Sequence, residues 1–320
     1  MNSILSKAKL GSQIGVRPPV AVELSPQGVL AAASPRAGHP PVYAFEPLPE
    51  GALVPGIGEH NLRAPEIVAN AIRAALGQVS PRTHAVTLVL PDTVVRVFVL
   101  DFDSFPSRAA EAIPILRFRM RKMLPFEVEH AGVSYQILVE DKNECRVLAA
   151  VLPGQILAEY EAVVRQAGYE PGAVLPTSLA ALAAIDSPDP VLAVNLGIVA
   201  LTTSITHAQD LLLYRTIDLP EDPNLRLDEV RRGISVAAAY YEDKLGVPPR
   251  LLYFAGMGVG LAAEGSNSSA EDFARWIDSP DVPALSVVDL APRPETGAAT
   301  PLGHLLSLAG VVGALAGASS

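Results

Sequence analysis

One pattern occurs twice in this chain, and it constrains the fold more than any other feature. Residues 191–205, VLAVNLGIVALTTSI, set two apolar, β-branched runs on either side of Asn195-Leu196-Gly197. A glycine beside a short polar side chain supplies the freedom a tight strand-to-strand turn needs, so the segment reads as a β-hairpin. Residues 20–34, VAVELSPQGVLAAAS, repeat the arrangement with Ser25-Pro26-Gln27-Gly28 at the turn. Each hairpin leads to a third strand, at 42–45 and 210–216. A helix follows, at 64–76 and 228–244, and then a strand, at 85–90 and 250–254. The first helix carries Ile67, Val68, Ala71, Ile72 and Ala75 on one side behind Pro65, and the second is closed by Gly246 and Pro248. Meander, helix and strand, twice over, predict a duplicated α/β half-domain with a cleft between the halves.

The chain has the means to build both halves. Its 320 residues, 49% of them hydrophobic, suffice for a large core and about two domains. A net charge of −10 argues against a nucleic-acid binder and against electrostatic docking to anionic lipid, since both need basic surface. The single cysteine, Cys145, reads as a buried strand residue, excludes an intramolecular disulfide and fits a reducing compartment. Residues 1–18 carry Lys7, Lys9 and Arg17 without the apolar run of a signal peptide, and read as a loose tail of a cytoplasmic protein. Residues 302–317, LGHLLSLAGVVGALAG, fall short of the ~20 residues a bilayer crossing needs. They read as a buried helix packed by small residues against a sheet.

Chemistry gathers at the turns. Thr202, Thr203 and Ser204 place hydroxyls near the second hairpin turn, where a phosphate can lie against exposed backbone N–H groups. Glu23 stands just before the first turn, either as a carboxylate that holds a metal-bound water beside a nucleotide or as an ordinary solvated strand end. After the strand at 250–254 comes AGMGVG, residues 255–260, whose glycines let backbone approach a ligand closely. The six histidines are scattered, and neither a Ser-His-Asp grouping nor a metal-ligand spacing is present.

A different character marks 106–144. Arg108, Arg117, Arg119, Arg121 and Lys122 crowd a helix that contains Pro114 and ends at Met123-Leu124-Pro125-Phe126. On an acidic protein this is either a docking surface or a solvated helix face. Strands follow at 135–139 and 146–152, then helices at 155–167 and 178–185. A further strand at 93–101 precedes the basic helix, and a helix at 270–278 lies near the chain end.

The order of these elements, with RFRMRKMLPFEVEHAGVSYQIL at 117–138, VLPTSLAALAAI at 174–185 and SLAGVVGALAG at 307–317, resembles the PilM-like family of type IV pilus assembly proteins. The resemblance covers nearly the whole chain from about residue 20. It implies an α/β, actin-like (ribonuclease H-like) duplicated fold in the ATPase superfamily. Lobes at 19–190 and 191–300 are expected, with a partner-binding subdomain inserted at about 93–170 and a C-terminal helix, 301–320, returning to the first lobe. It further implies a cytoplasmic adaptor, held at the inner membrane through partners. The partner in view is the N-terminal tail of a PilN-like protein, gripped by Phe118, Arg121, Met123, Leu124 and Phe126; platform or motor proteins and self-association are also implied.

The family's cleft takes ATP and Mg²⁺, which maps onto Glu23, Ser25 and Gly28, onto Asn195 and Gly197, and onto Gly256 and Gly258. Here the motifs depart from the family's. Glu23, Ser25 and Leu30 stand where Asp, Gly and Lys are typical, Asn195 replaces an Asp, and Ala255 and Met257 sit where glycines are common. Loss of the lysine and a carboxylate removes charge compensation on both sides of the cleft, so an adaptor without catalytic residues is expected. The alternatives are an active ATPase, with Glu23 as the acid at the γ-phosphate and Asn195 placing water or a metal shell, and a GspL-like type II secretion component.

Overall fold

The computed structural model describes residues 17–34, 40–58, 60–141, 144–208, 210–256, 269–291 and 307–316. In the first lobe β1 (Val20–Ser25), β2 (Gly28–Ala33) and β3 (Val42–Pro47) form an antiparallel meander, and α1 (Pro65–Val79) leads to β4 (Ala85–Leu90), which runs parallel to β1. The first hairpin is pinned by its register, Glu23 opposite Leu30 and Ser25 opposite Gly28. With β8 (Glu170–Pro176) the sheet has the order β3-β2-β1-β4-β8.

The second lobe repeats this plan. It uses β9 (Val191–Leu196), β10 (Ala200–His207), β11 (Asp210–Asp218), β12 (Leu251–Gly256) and β13 (Ser286–Asp289), in the order β11-β10-β9-β12-β13. Its first three strands are antiparallel and its last two join in parallel, as in the first lobe. The duplication predicted from the two hairpins is therefore realised strand for strand.

Two strands escape a sequence reading. The stretch of β8, EPGAVLP, holds two prolines inside its span and a glycine, residues that demote a strand; parallel pairing with β4 overrides them. β13 is four residues long and gains its place by pairing with β12. The strand expected from residue 93 starts later, because Asp92–Val94 form a single 3₁₀ turn before β5 (Arg96–Phe102). The second lobe's long helix, α5 (Pro223–Leu245), starts at residue 223 rather than the expected 228. Asp222 caps it by accepting from the N–H groups of Asn224 and Leu225, and Pro223 fills the first position, where no N–H is needed.

Within the expected insertion at about 93–170 lies a separate small sheet. β5, α2 (Ala109–Met120), β6 (Ala131–Glu140) and β7 (Cys145–Pro153) build a three-stranded antiparallel sheet, β5-β7-β6, with its own core of Leu100, Phe105, Leu116, Met120 and Val147. Cys145 is buried there. The next helix, α3 (Gly154–Gln166), sends Ile156, Tyr160 and Val163 into the first lobe's core beside Val68, Ile72 and Leu76 of α1.

On the far face of the first sheet lie α4 (Thr177–Leu182) and α7 (Ala309–Ala316). A Cβ at Gly313 would stand 1.9 Å from the Ala180 carbonyl oxygen, so only glycine permits this approach of the two helices. An apolar cluster holding Leu179 and Leu182 of α4, Val191, Leu211, Ala255 and Ala309 joins the lobes. In the second lobe, α5 and α6 (Ala270–Ile277) cover the sheet, with Phe254 and Phe273 stacked at 4.1 Å between ring centres. Ser269 opens α6 with a capping box.

Candidate functional site

The turns and the ends of β1, β4, β9 and β12 border a cavity of about 100 Å³ between the lobes, several times the ~10–15 Å³ one water needs. Its first-lobe wall includes Glu23, Gln27 and Asp92, and its second-lobe wall Asn195 and Gly197; Gly256 and the start of α7 also reach it.

Glu23 presents two unlike oxygens. Oε1 lies 3.0 Å from the Thr177 hydroxyl, which is also 3.0 Å from the Leu90 carbonyl, and one proton cannot serve both fully. Oε2 is withdrawn from solvent, has no donor among the described residues, and faces α7: a Cβ at Gly310 would fall 2.4 Å from it. Burial strips water from the carboxylate and pushes its pKa up to about 7; the charge of Asp92 adds to the rise and the Thr177 hydrogen bond opposes it.

Asp92 sits on the 3₁₀ turn, where it escaped the sequence reading, and carries most of the polar structure here. Its Oδ1 accepts from the Ser178 N–H at 3.0 Å and the Tyr214 hydroxyl at 3.2 Å. Its Oδ2 accepts from the Ser178 hydroxyl, and from Asn195 Nδ2 and the Thr202 hydroxyl, both at 3.3 Å. Three of these donors, Asn195, Thr202 and Tyr214, belong to the second lobe, so a first-lobe carboxylate ties β9, β10 and β11 to α4. Burial raises the Asp92 pKa against these hydrogen bonds, and burial beside Asp92 raises that of Tyr214.

Of the residues expected around a nucleotide, Glu23, Ser25, Asn195, Gly197 and Gly256 line the cavity and Gly28 does not. Asn195 spends its amide on Asp92 and, at 2.8 Å, on the Ser178 hydroxyl. Ser25 donates to the Gly28 carbonyl at 3.0 Å, and the Gly197 N–H closes its own turn on Ala200 at 2.8 Å. Gly28 is required because the Phe45 ring and the Glu46 carbonyl occupy the space of a Cβ, at 2.4 Å, so it serves packing against β3. Gly256 similarly lets β12 lie against Leu196. Thr202, Thr203 and Ser204, expected to offer hydroxyls near the turn, are buried, and Thr202 pairs with Thr216 at 2.9 Å across the ladder. Gly258 lies outside the described residues.

For Mg²⁺ and ATP, which the resemblance implies, the described wall of the cavity supplies no cationic side chain. A triphosphate needs cations and free N–H donors, whereas no Lys, Arg or His lines the cavity among the described residues and Pro26 has no N–H. Asp92 is already engaged by five donors. Arg226 is turned to the Gly197 carbonyl, 3.5 Å away, and is not part of the wall. Among the described residues no three His, Cys, Asp or Glu side chains gather as a metal site.

The expected docking residues divide into two groups. On α2, Ala112, Leu116 and Met120 face the core, while Ile115, Phe118 and Arg119 face outward, and Arg121 and Lys122 are exposed just past its end. Phe118 is 83% exposed and Met123 50% exposed, both unusual for such side chains. Arg121 stands 3.8 Å from Glu129, and Arg117 donates to the Ala131 carbonyl at 3.0 Å. Leu124 and Phe126 are half-buried against the subdomain core. Among the described residues no helix is long and apolar enough to cross a membrane.

Two matched lobes facing across a cleft, with a subdomain inserted in the first, define the actin-like fold, and this chain has that fold. Within it, the chain is similar to a solved chain of the PilM–PilN type IV pilus biogenesis complex, with 18% identity, 96% of this chain and 100% of that one covered, and a TM-score of 0.71. More distant similarities include the cytoplasmic domain of EpsL, an inner-membrane component of the type II secretion system of Vibrio cholerae (12% identity, 74% and 81% covered, TM-score 0.47). Another is a Bacteroides thetaiotaomicron protein with an actin-like ATPase fold (11% identity, 83% and 92% covered, TM-score 0.46). No protein-family model and no curated protein sequence matches the chain.

Proposed function

We propose that this chain is a PilM-like adaptor of type IV pilus assembly. It sits in the cytoplasm at the inner membrane and grips the N-terminal tail of a PilN-like protein. The observation that carries this reading is the end-to-end similarity to a chain of the PilM–PilN complex, over 96% of this chain and 100% of that one. The outer face of α2 supports it: Phe118 and Met123 are exposed beside Arg119, Arg121 and Lys122 on a chain of net charge −10. An aromatic anchor ringed by cations suits a peptide that brings an apolar side chain and acidic neighbours. Leu124 and Phe126 hold that face in shape from below.

Calorimetric titration of the intact chain with the N-terminal peptide of the PilN-like protein from the same genome tests the assignment. Saturable binding that Phe118→Ala weakens at least tenfold is expected. No binding, or binding indifferent to Phe118 and Arg121, overturns it.

A further inference from the structure

The helix α2, its N-cap and the turn after it hold five cations, Arg108, Arg117, Arg119, Arg121 and Lys122, against one acid, Glu111. Spacings of seven, four and three residues set Arg108, Ile115, Arg119 and Lys122 in line along one flank of the helix. At ~1.5 Å per residue this stripe is about 20 Å long. All four side chains are exposed, Ile115 by 40%. Phe118 borders the stripe and Arg121 lies beyond it. Among the described residues no carboxylate pairs with Arg108, Arg119 or Lys122, whereas Arg121, Arg146, Arg165, Arg232 and Arg275 each meet an acid. An acidic chain that leaves three aligned cations without an internal partner, around an exposed isoleucine, presents them to something outside itself. A protein partner must match those intervals acid by acid, whereas a layer of anionic headgroups offers charge at every point along them. Long cationic side chains also reach headgroups while their stems and an apolar neighbour meet the acyl boundary.

We infer that this flank of α2 lies against the anionic lipid of a bilayer, with Arg108, Arg119 and Lys122 on the headgroups and Ile115 between them. The net charge of −10 sums the whole chain and opposes lipid binding in general. Spread over the other faces, the same acidity turns the molecule so that this stripe leads. The inference rests on the adaptor reading in one respect, that the chain works at an inner membrane. It sets Phe118 beside the surface from which a membrane protein's tail emerges. Each cation held near an anionic surface strengthens binding about fivefold, and three together on the order of a hundredfold.

Co-sedimentation of the intact chain with vesicles tests it, with phosphatidylglycerol and phosphatidylcholine in equal parts set against phosphatidylcholine alone. Binding to the mixed vesicles only is expected, lost when salt rises from about 0.05 M to about 0.5 M and screens the charges. Replacing the three cations together, Arg108→Gln, Arg119→Gln and Lys122→Gln, should weaken binding on the order of a hundredfold and leave the melting temperature unchanged, since all three are exposed. Arg119→Gln alone should weaken it about fivefold, should the triple variant fold poorly. No binding to mixed vesicles, equal binding to both kinds, or binding that these variants retain overturns the inference. Titration of the unaltered chain with the PilN-like tail reads the adaptor assignment separately. Tail binding without vesicle binding refutes only the lipid contact and gives the stripe to an acidic peptide. Vesicle binding without tail binding upholds the lipid contact and refutes only the adaptor.

Discussion

Replacing Glu23 by glutamine should stabilise this protein, and by an amount that depends on pH in a defined direction. The side chain keeps its shape, its oxygen still accepts from Thr177, and an amide takes the place of the orphan Oε2 opposite Gly310. What disappears is the penalty of a carboxylate stripped of water. Its pKa is raised in the folded state from an ordinary 4.5 to about 7, so between those values the folded chain holds a proton that the unfolded chain has released. Stability therefore falls as pH climbs through that window, and the loss is complete above it. At about 1.4 kcal/mol per pH unit, the displacement corresponds to about 3 kcal/mol at pH 8 and almost nothing at pH 4. Denaturant unfolding of both proteins at the two pH values measures it, since groups that do not interact with Glu23 cancel in the difference and Asp92, whose charge adds to the Glu23 shift, is the one named exception. A gain of 2–3 kcal/mol for Glu23→Gln at pH 8 that vanishes at pH 4 is expected, on the order set by that displacement. Equal differences at the two pH values, or a less stable variant at pH 8, would refute the burial argument.

Other perturbations separate the parts of the molecule. Asp92→Ala strands donors from Ser178, Asn195, Thr202 and Tyr214 in a buried setting and should cost at least ~3 kcal/mol in the same unfolding assay. Gly313→Ala drives a Cβ into the Ala180 carbonyl and should lower stability by about 2 kcal/mol or more, read as a reduced melting temperature. Phe118→Ala, at a side chain 83% exposed, should leave stability within about 0.5 kcal/mol of wild type while abolishing tight binding of the PilN-like tail. Phe126→Ala, half-buried on the subdomain core, should lower the melting temperature by several degrees as judged by circular dichroism.

The large-scale organisation was open to reading because it repeats in sequence and its strands alternate with strong turn chemistry. The hairpins at 20–34 and 191–205 each carry their own punctuation, and the strands that follow fall where their apolar runs place them. The site was much less legible. Asp92 reads as a turn residue after Pro91, and its partners lie 86 to 122 positions further along the chain, beyond the reach of any local pattern. Thr202 and Thr216 look like surface hydroxyls of a β-strand until the ladder sets them face to face. Gly28 carries the mark of a ligand loop, yet Phe45, seventeen residues on in the sequence, is what requires it. Asn195 lines the cleft, and its amide is claimed by Asp92 and Ser178, neither of which adjoins it in sequence.

Five donors drawn from two lobes converge on one carboxylate, borne on a three-residue turn between β4 and β5. Such a rivet has a mechanical meaning. Rotation of one half against the other would have to break three shielded bonds at once, from Asn195, Thr202 and Tyr214, so a load applied to the second sheet passes into the first, and from there along β5 to the face that bears Phe118, with little taken up by bending. A part built this way works as a strut, and its shape is fixed before any partner arrives.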